Sequence, residues 1–254
     1  MLFNITFLAL NGHAAITDID TDHGLAPEID GDIDKSNSEW KNATKEEIYL
    51  TGLSPTDKGI LVDLWVMQND SDLYISVQFN LETHKLTEYV GIVISESGAT
   101  SNDSFVDAKI LQFTNLGTIR ENYKYRDYYI FNNQFFEDRE VHGDAAAKLE
   151  GSKIIYEFQI PTNSTEDAQD ANLDFGESYA FKIIYGEAFN NPGRFIKSEI
   201  VFIDINYPKD KPLNPWILYH NILCIIIFCG LIGLFALYIY KITVIKKKIK
   251  RIIE

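Results

Sequence analysis

The sequence predicts an all-β fold, an antiparallel β-sandwich of the jelly-roll or immunoglobulin-like kind, followed by one C-terminal transmembrane α-helix. Three observations support this prediction. Short runs of alternating apolar and polar residues recur along the first 207 residues, separated by polar turns. No convincing helical periodicity interrupts them. Residues 216–240 then contain no Asp, Glu, Lys or Arg, and at about 1.5 Å per residue they can cross a hydrocarbon core of about 30 Å.

The clearest strand pattern lies in residues 72–80. There Leu73, Ile75, Val77 and Phe79 alternate with residues that can face water, which is typical of a half-buried antiparallel strand. Further strands are predicted at residues 59–68, 88–95, 106–113, 128–131, 152–161, 178–189 and 199–205. A turn with the sequence Asn190-Asn-Pro-Gly-Arg194 joins the last two as a hairpin.

The chain divides into five predicted segments. Residues 1–15 are an apolar signal segment, 16–207 the sandwich ectodomain, 208–215 a proline-stiffened stalk, 216–240 the transmembrane helix and 241–254 a basic tail. The predicted membrane anchors are Trp216 and Tyr219 at one interface, Tyr238 and Tyr240 at the other, and Lys246, Lys247 and Lys248 beyond it. Since the positively charged flank of a transmembrane helix stays on the cytoplasmic side, the tail is predicted to be cytoplasmic and the N-terminal domain extracellular. The single transmembrane helix would hold the protein at the cell membrane.

Charge and cysteine content exclude several classes of function. The formal charge of the chain is −14, and the tail from Lys241 carries six basic residues and one acid, which leaves −19 on the remainder. A surface this acidic repels nucleic acid. Both cysteines, Cys224 and Cys229, lie in the apolar C-terminal run, so the ectodomain has neither a disulfide nor a thiolate metal site.

Four motifs stand in a recognisable order along the ectodomain. They are Ile29-Asp-Gly-Asp-Ile-Asp34 with Glu39-Trp40 and Ala43, then Asp70-Ser-Asp-Leu-Tyr-Ile75, Glu88-Tyr-Val-Gly-Ile-Val-Ile94 and Tyr156-Glu-Phe-Gln-Ile-Pro161. In this order they resemble the family-9-like carbohydrate-binding module, a β-sandwich superfamily that also includes DOMON domains. The resemblance spans residues 29–205 and implies a sandwich architecture. Trp40 is expected to close the open end of this sandwich, with Leu73, Ile75 and Val77 in its core.

The resemblance also implies candidate ligands. Sugar-binding members hold a terminal sugar between two tryptophans, but the segment before Glu88 contains none, and Trp65 is predicted to be a core residue. The segment 123–129 offers a substitute ligand-binding platform, because tyrosine interleaved with Arg and Asp can stack on a polar ligand and hydrogen-bond to it. The predicted ligand-binding residues are Tyr123, Tyr125, Arg126 and Tyr128.

Two cofactors follow from other members of this superfamily. Some bind calcium, and Asp30, Asp32 and Asp34 form a carboxylate ladder that could hold Ca²⁺. The sequence favours the alternative, a solvated acidic turn, because exposed Asp runs need no ion to be stable. Others bind haem through a methionine and a histidine or lysine. Met67, with His84 or His142, is the corresponding set, and its alternative is a methionine that fills the core.

Catalytic signatures are lacking in the sequence: there is no Gly-x-Ser-x-Gly elbow, His-Glu-x-x-His helix or phosphate loop. The sequence therefore predicts a non-enzymatic, membrane-anchored binding or structural module of the cell envelope, whose partners are membrane lipid and a glycan or another extracellular ligand. Two alternatives remain open: a tethered haem domain that transfers electrons, and a subunit of an envelope assembly that binds no ligand.

Overall fold

The computed structural model describes residues 17–33, 39–52, 59–80, 87–96, 105–113, 123–132, 134–162, 170–187 and 195–208, together with eleven residues between 228 and 245. The chain forms two compact units, Met1–Pro208 and Lys209–Glu254. The predicted signal segment, Asp34, His84 and the hairpin turn at residues 190–194 lie outside the described residues.

The described part of the first unit is built from strands. They are β1 (Thr17–Asp20), β2 (Asp22–His23), β3 (Thr44–Thr51), β4 (Ile60–Gln68), β5 (Asp72–Asn80), β6 (Tyr89–Ser95), β7 (Phe105–Phe113), β8 (Tyr123–Phe131), β9 (Gln134–Glu137), β10 (Asp144–Glu150), β11 (Lys153–Pro161), β12 (Ser178–Gly186), β13 (Phe195–Ser198) and β14 (Val201–Asp204). Their main path runs β10-β11-β5-β4-β3-β13-β12-β6-β7-β8-β9, and every pair along it is antiparallel.

This continuous sheet curls so that its two halves pack face to face. One core cluster contains apolar side chains from β3, β4, β5, β10 and β11 of one half and from β6, β7, β12 and β14 of the other. Leu73, Ile75 and Val77 belong to it, as the alternation of β5 predicts. The predicted antiparallel, sandwich-like β architecture is therefore confirmed for the described part of the first unit.

Smaller apolar clusters cover the outer faces of the two halves. Trp40 lies in one of them, where it packs with Trp65, Met67, Tyr74 and Ile155 on the face of β4, β5 and β11 that points away from the main core. The expectation that Trp40 closes the end of the sandwich is therefore wrong. Ile33 belongs to the same cluster, so described residues on both sides of the gap at 34–38 pack on this outer face.

Two short strands join the termini of the domain. β1 pairs with β14 in parallel, from Thr17 opposite Val201 to Asp20 opposite Asp204. β14 also pairs with β12 in antiparallel fashion. The first described strand therefore lies beside the last one.

The second unit contains the helical residues that the structure describes. These are Phe228, Gly230, Ile232, Gly233, Phe235, Tyr238 to Ile242 and Ile245. The side chains of Phe228, Phe235, Tyr238 and Tyr240 are all more than 60% exposed. Over the described residues, no helix has both the length and the apolar character required to cross a membrane. The predicted anchors Trp216, Tyr219, Lys246, Lys247 and Lys248 lie outside the described residues.

Candidate functional site

The inner face of β7, β8 and β9 changes from apolar to polar and aromatic towards the ends of these strands. Leu111 of β7 and Tyr125 of β8 are paired across the ladder and pack against the main core. Two residues along each strand, on the same face, stand Lys109 and Asp127, and two further along stand Asp107 and Tyr129. Strand alternation thus places charged groups and an aromatic ring beside the core.

Lys109 lies at the centre of a buried charge cluster. Its Nζ is 2.6 Å from Asp127 Oδ1, 2.8 Å from Asp170 Oδ1 and 3.2 Å from Asp107 Oδ2. Lys109, Asp107 and Asp127 are each at most 2% exposed. A single charged side chain buried this deeply would strongly destabilise the fold. The ammonium and the carboxylates are therefore stable here only as oppositely charged partners.

Two loops complete the cluster. The β9–β10 loop supplies His142, whose backbone N–H donates to Asp127 Oδ2 at 3.0 Å and whose Nδ1 is 2.5 Å from Asp170 Oδ2. The Tyr125 hydroxyl donates to the His142 carbonyl at 2.6 Å. The loop before β12 supplies Asp170, and the next residue donates its backbone N–H to Asp107 Oδ2 at 3.2 Å.

Burial dominates the electrostatics of this cluster. It raises the pKa of Asp107 to about 7, and the neighbouring Asp127 and Asp170 add to the effect while Lys109 opposes it. Burial also raises the pKa of Asp127 above its ordinary value, against the opposing effect of Lys109. For Lys109, burial works to lower the pKa, but the carboxylates of Asp107 and Asp127 outweigh it and raise the pKa. The lysine therefore stays charged at neutral pH.

An exposed aromatic patch lies at the same end of the inner face. We define it as Tyr129 and Phe131 of β8 and Phe136 of β9. The rings of Tyr129 and Phe136 are stacked, with centroids 5.2 Å apart and planes 18° apart. Phe131 is 63% exposed and Phe136 is 38% exposed. Exposed aromatic rings of this kind can bind a ligand that has an apolar face.

A separate buried carboxylate, Glu88, lies between the two halves. Glu88, 1% exposed, accepts hydrogen bonds from the hydroxyls of Tyr156 at 2.9 Å, Tyr123 at 3.3 Å and Tyr185 at 3.3 Å. The ring of Tyr123 also meets the ring of Tyr156 edge to face, at 5.6 Å. The tyrosine hydroxyls and the carboxylate in this cluster are hydrogen-bonded to one another. Tyr123 therefore has a structural role.

The four residues predicted to bind ligand do not share a surface. Tyr123 and Tyr125 point towards the main core, whereas Tyr128 packs in the cluster on the outer face, 6% exposed. Nη1 of Arg126 donates to both carboxylate oxygens of Glu137, at 2.8 and 2.9 Å. The aromatic patch uses the same strand, but through Tyr129 and Phe131.

The carboxylates predicted to hold Ca²⁺ have other partners. Asp30 Oδ1 accepts the backbone N–H of Asp32 within the turn, and Asp32 Oδ2 pairs with Lys148 Nζ at 2.5 Å. Asp34 lies outside the described residues. In the described part of the chain, the group of His and Asp side chains spaced for a metal ion is Asp127, His142 and Asp170 instead. Two of these residues come from loops, and no regular spacing in the sequence connects them.

One carboxylate links the first and last of the four sequence motifs. Glu157, fully buried in β11, accepts the backbone N–H of Asp30 at 2.9 Å and of Gly31 at 2.7 Å, and the Nε1–H of Trp40 at 3.0 Å. Burial raises the pKa of Glu157 to about 7, against the lowering effect of these hydrogen bonds. These motif residues therefore hold the N-terminal segment on the sheet.

The residues predicted to hold haem are not gathered together. Met67 is fully buried on the outer face of β4, in the cluster with Trp40 and Trp65. His142 contacts Asp127 and Asp170 at the inner face of the other half. Met67 thus fills the core of this cluster, which was the alternative to a haem ligand in the sequence analysis.

No family model matches this sequence, and no curated protein matches it. Among solved structures, a family 9 carbohydrate-binding module from Caldicellulosiruptor kristjanssonii in complex with cellotriose is 16% identical, with a TM-score of 0.46, over 78% of this chain and 100% of that one. The module in complex with glucose is also 16% identical, with a TM-score of 0.45 and the same coverage. A protein from Bacteroides uniformis is 7% identical over 74% of this chain and 99% of its own, with a TM-score of 0.46. At such identities and TM-scores, the likeness assigns no ligand to this chain.

Proposed function

We propose that this chain is a non-catalytic module, anchored at the cell surface by its C-terminal segment, that binds a glycan at the aromatic patch. The observation that carries the proposal is the exposure of Phe131 and Phe136 at the end of the inner face, where Phe136 stacks on Tyr129. A pyranose ring has a face of C–H groups that packs on an aromatic ring. Gln134 is exposed and paired with Phe131 across the two strands, and its amide can hydrogen-bond to hydroxyls at the edge of the sugar. An exposed apolar patch on a folded domain is typical of a binding site.

The anchoring part of the proposal rests on the sequence. Residues 216–240 are uncharged and are followed by a lysine-rich tail. Lipid is the solvent that suits a helix with exposed Phe228, Phe235 and Tyr238. The basic tail would then stay in the cytoplasm and the acidic domain outside.

A glycan array probed with the full-length protein in lipid nanodiscs tests the binding. Phe136→Ala removes one ring of the stacked pair and should weaken binding to the best glycan about tenfold, the equivalent of about 1.4 kcal/mol. Tyr49→Ala is the matched control, because Tyr49 is 53% exposed on β3, away from the patch. Silence on every glycan, or an equal loss in the control, would contradict the proposal and favour a subunit of an assembly.

The anchor is tested separately. The full-length protein should enter the detergent-rich phase on phase separation, and its tail lysines should resist an impermeant amine reagent on intact cells. Recovery in the aqueous phase would contradict the anchor without bearing on the glycan.

A further inference from the structure

Asp127 and Asp170 each contact two different residues, one through each carboxylate oxygen. Their Oδ1 atoms lie 2.6 and 2.8 Å from the ammonium of Lys109. Oδ2 of Asp127 accepts the backbone N–H of His142 at 3.0 Å, and Oδ2 of Asp170 lies 2.5 Å from His142 Nδ1. One ligand atom from each of Asp127, His142 and Asp170 can be chosen so that all three lie within 4.8 Å of one another. One oxygen of each carboxylate thus contacts Lys109, and the other contacts His142.

A third carboxylate shows that the cluster is short of a partner. Asp107 is 1% exposed, and its Oδ2 contacts Lys109 and the Ala171 backbone N–H. Its Oδ1 is buried and has no hydrogen-bond partner within the described part of the chain. Leaving a buried acceptor unsatisfied costs about 1–3 kcal/mol, and more when the group is charged. Asp107 therefore has a buried oxygen with no hydrogen-bond partner among the described residues, beside the ammonium that it shares with Asp127 and Asp170.

The backbone of His142 is fixed on both sides. Its N–H is held by Asp127, and its carbonyl accepts the Tyr125 hydroxyl at 2.6 Å. The other ring nitrogen, Nε2, lies 3.8 Å from Glu140 Oε2. That distance is too long for a hydrogen bond, so the position of His142 depends on its two backbone contacts and on the contact of Nδ1 with Asp170.

We propose that Asp127, His142 and Asp170 bind one divalent transition-metal ion of the Zn²⁺ class. The donor set decides between classes of metal. Ca²⁺ and Mg²⁺ take oxygen ligands, whereas an imidazole nitrogen combined with carboxylate oxygens suits Zn²⁺ and its neighbours. Three protein ligands are also the usual number at a zinc site that keeps a position open. The nearby ammonium of Lys109 repels the ion, so the affinity should be below that of a structural zinc site.

Calorimetric titration of the full-length protein in detergent micelles with Zn²⁺, and separately with Ca²⁺, tests the proposal. The wild type should bind one equivalent of Zn²⁺ with no heat from Ca²⁺, and Zn²⁺ should raise the melting temperature. His142→Ala keeps the backbone contacts but removes the nitrogen ligand, and should weaken Zn²⁺ binding at least tenfold. Asp32→Asn is the matched control at the acidic turn and should bind as the wild type does.

A second measurement needs no variant. Co²⁺ added to the wild type should give visible absorption bands of mixed nitrogen and oxygen coordination, and Zn²⁺ should displace them. Failure of the folded wild type to bind Zn²⁺, undiminished binding in folded His142→Ala, or binding of Ca²⁺ in preference to Zn²⁺ would each overturn the proposal. None of these outcomes depends on whether the aromatic patch binds a glycan.

Discussion

Replacement of Glu157 by glutamine should change how the stability of the domain depends on pH. In the folded protein, burial raises the pKa of this carboxyl from its ordinary value of 4.5 to about 7. A group whose pKa is raised by folding contributes its full stabilisation below the unfolded pKa and loses it as the pH rises through the folded pKa. The stability contributed by Glu157 is therefore present at about pH 4.5 and is lost towards pH 8.

The magnitude follows from the difference in bound protons. Between the two pKa values the folded state holds one proton more than the unfolded state, so the free energy of unfolding falls by about 1.4 kcal/mol per pH unit. The total contribution of this group is about 3 kcal/mol. Glutamine resembles the protonated acid but does not titrate, so Glu157→Gln removes this component of the slope.

Urea unfolding monitored by tryptophan fluorescence can measure this difference, because Trp40 lies against the substituted side chain. Full-length wild type and variant should be compared at about pH 4.5, 6 and 8, with Glu47→Gln on the exposed side of β3 as the control. The free energy of unfolding of Glu157→Gln should rise by about 3 kcal/mol relative to the wild type across this range. Parallel pH curves for the two proteins would refute the reasoning.

Three further predictions concern folding. Gly31→Ala should destabilise the domain by more than about 3 kcal/mol, because φ is +80° and the new Cβ would lie 2.4 Å from the backbone nitrogen of Lys148 in β10. Gly151→Ala is the comparison: at φ +63° its Cβ meets no atom within 4 Å, and it should cost about 1 kcal/mol. Chemical denaturation of both variants checks this difference. Lys109→Met should cost about 3–5 kcal/mol, since it leaves buried carboxylates without their ammonium, and a melting temperature equal to that of the wild type would contradict this prediction. Tyr156→Phe should cost about 1–3 kcal/mol by removing the 2.9 Å donor to buried Glu88, as measured by urea unfolding; no change would mean that this hydrogen bond contributes nothing.

The strands that the sequence predicts are those with alternating or continuous apolar residues, such as β5 and β6. The pattern predicts β5 at its observed bounds and begins β4 and β11 one residue early. β10 was missed because its sequence, Asp-Ala-Ala-Ala-Lys-Leu-Glu, has the composition of a helix. It becomes a strand by pairing with β11 along its whole length, a tertiary effect that a local pattern does not contain.

The candidate site could be predicted only in part. The sequence identified the segment that forms β8, but Tyr128 and Tyr129 are adjacent and their run has aromatic rings at both parities, so the exposed face could not be assigned. Lys109 could have been found, because a lysine between Ala108 and Ile110 in a predicted buried strand requires a buried counter-charge. Asp170 and His142 come from separate loops, and only the fold brings them together.

The parallel pairing of β1 with β14 determines how the domain resists mechanical force. Because the two strands are parallel, the start of β1 and the end of β14 lie at opposite ends of the ladder. Tension applied between the two termini therefore acts along these strands rather than across them. The hydrogen bonds between Thr17–Asp20 and Val201–Asp204 must then yield together in shear, instead of opening one after another like a zipper. A domain pulled between its two ends would therefore withstand more force than its stability in solution suggests.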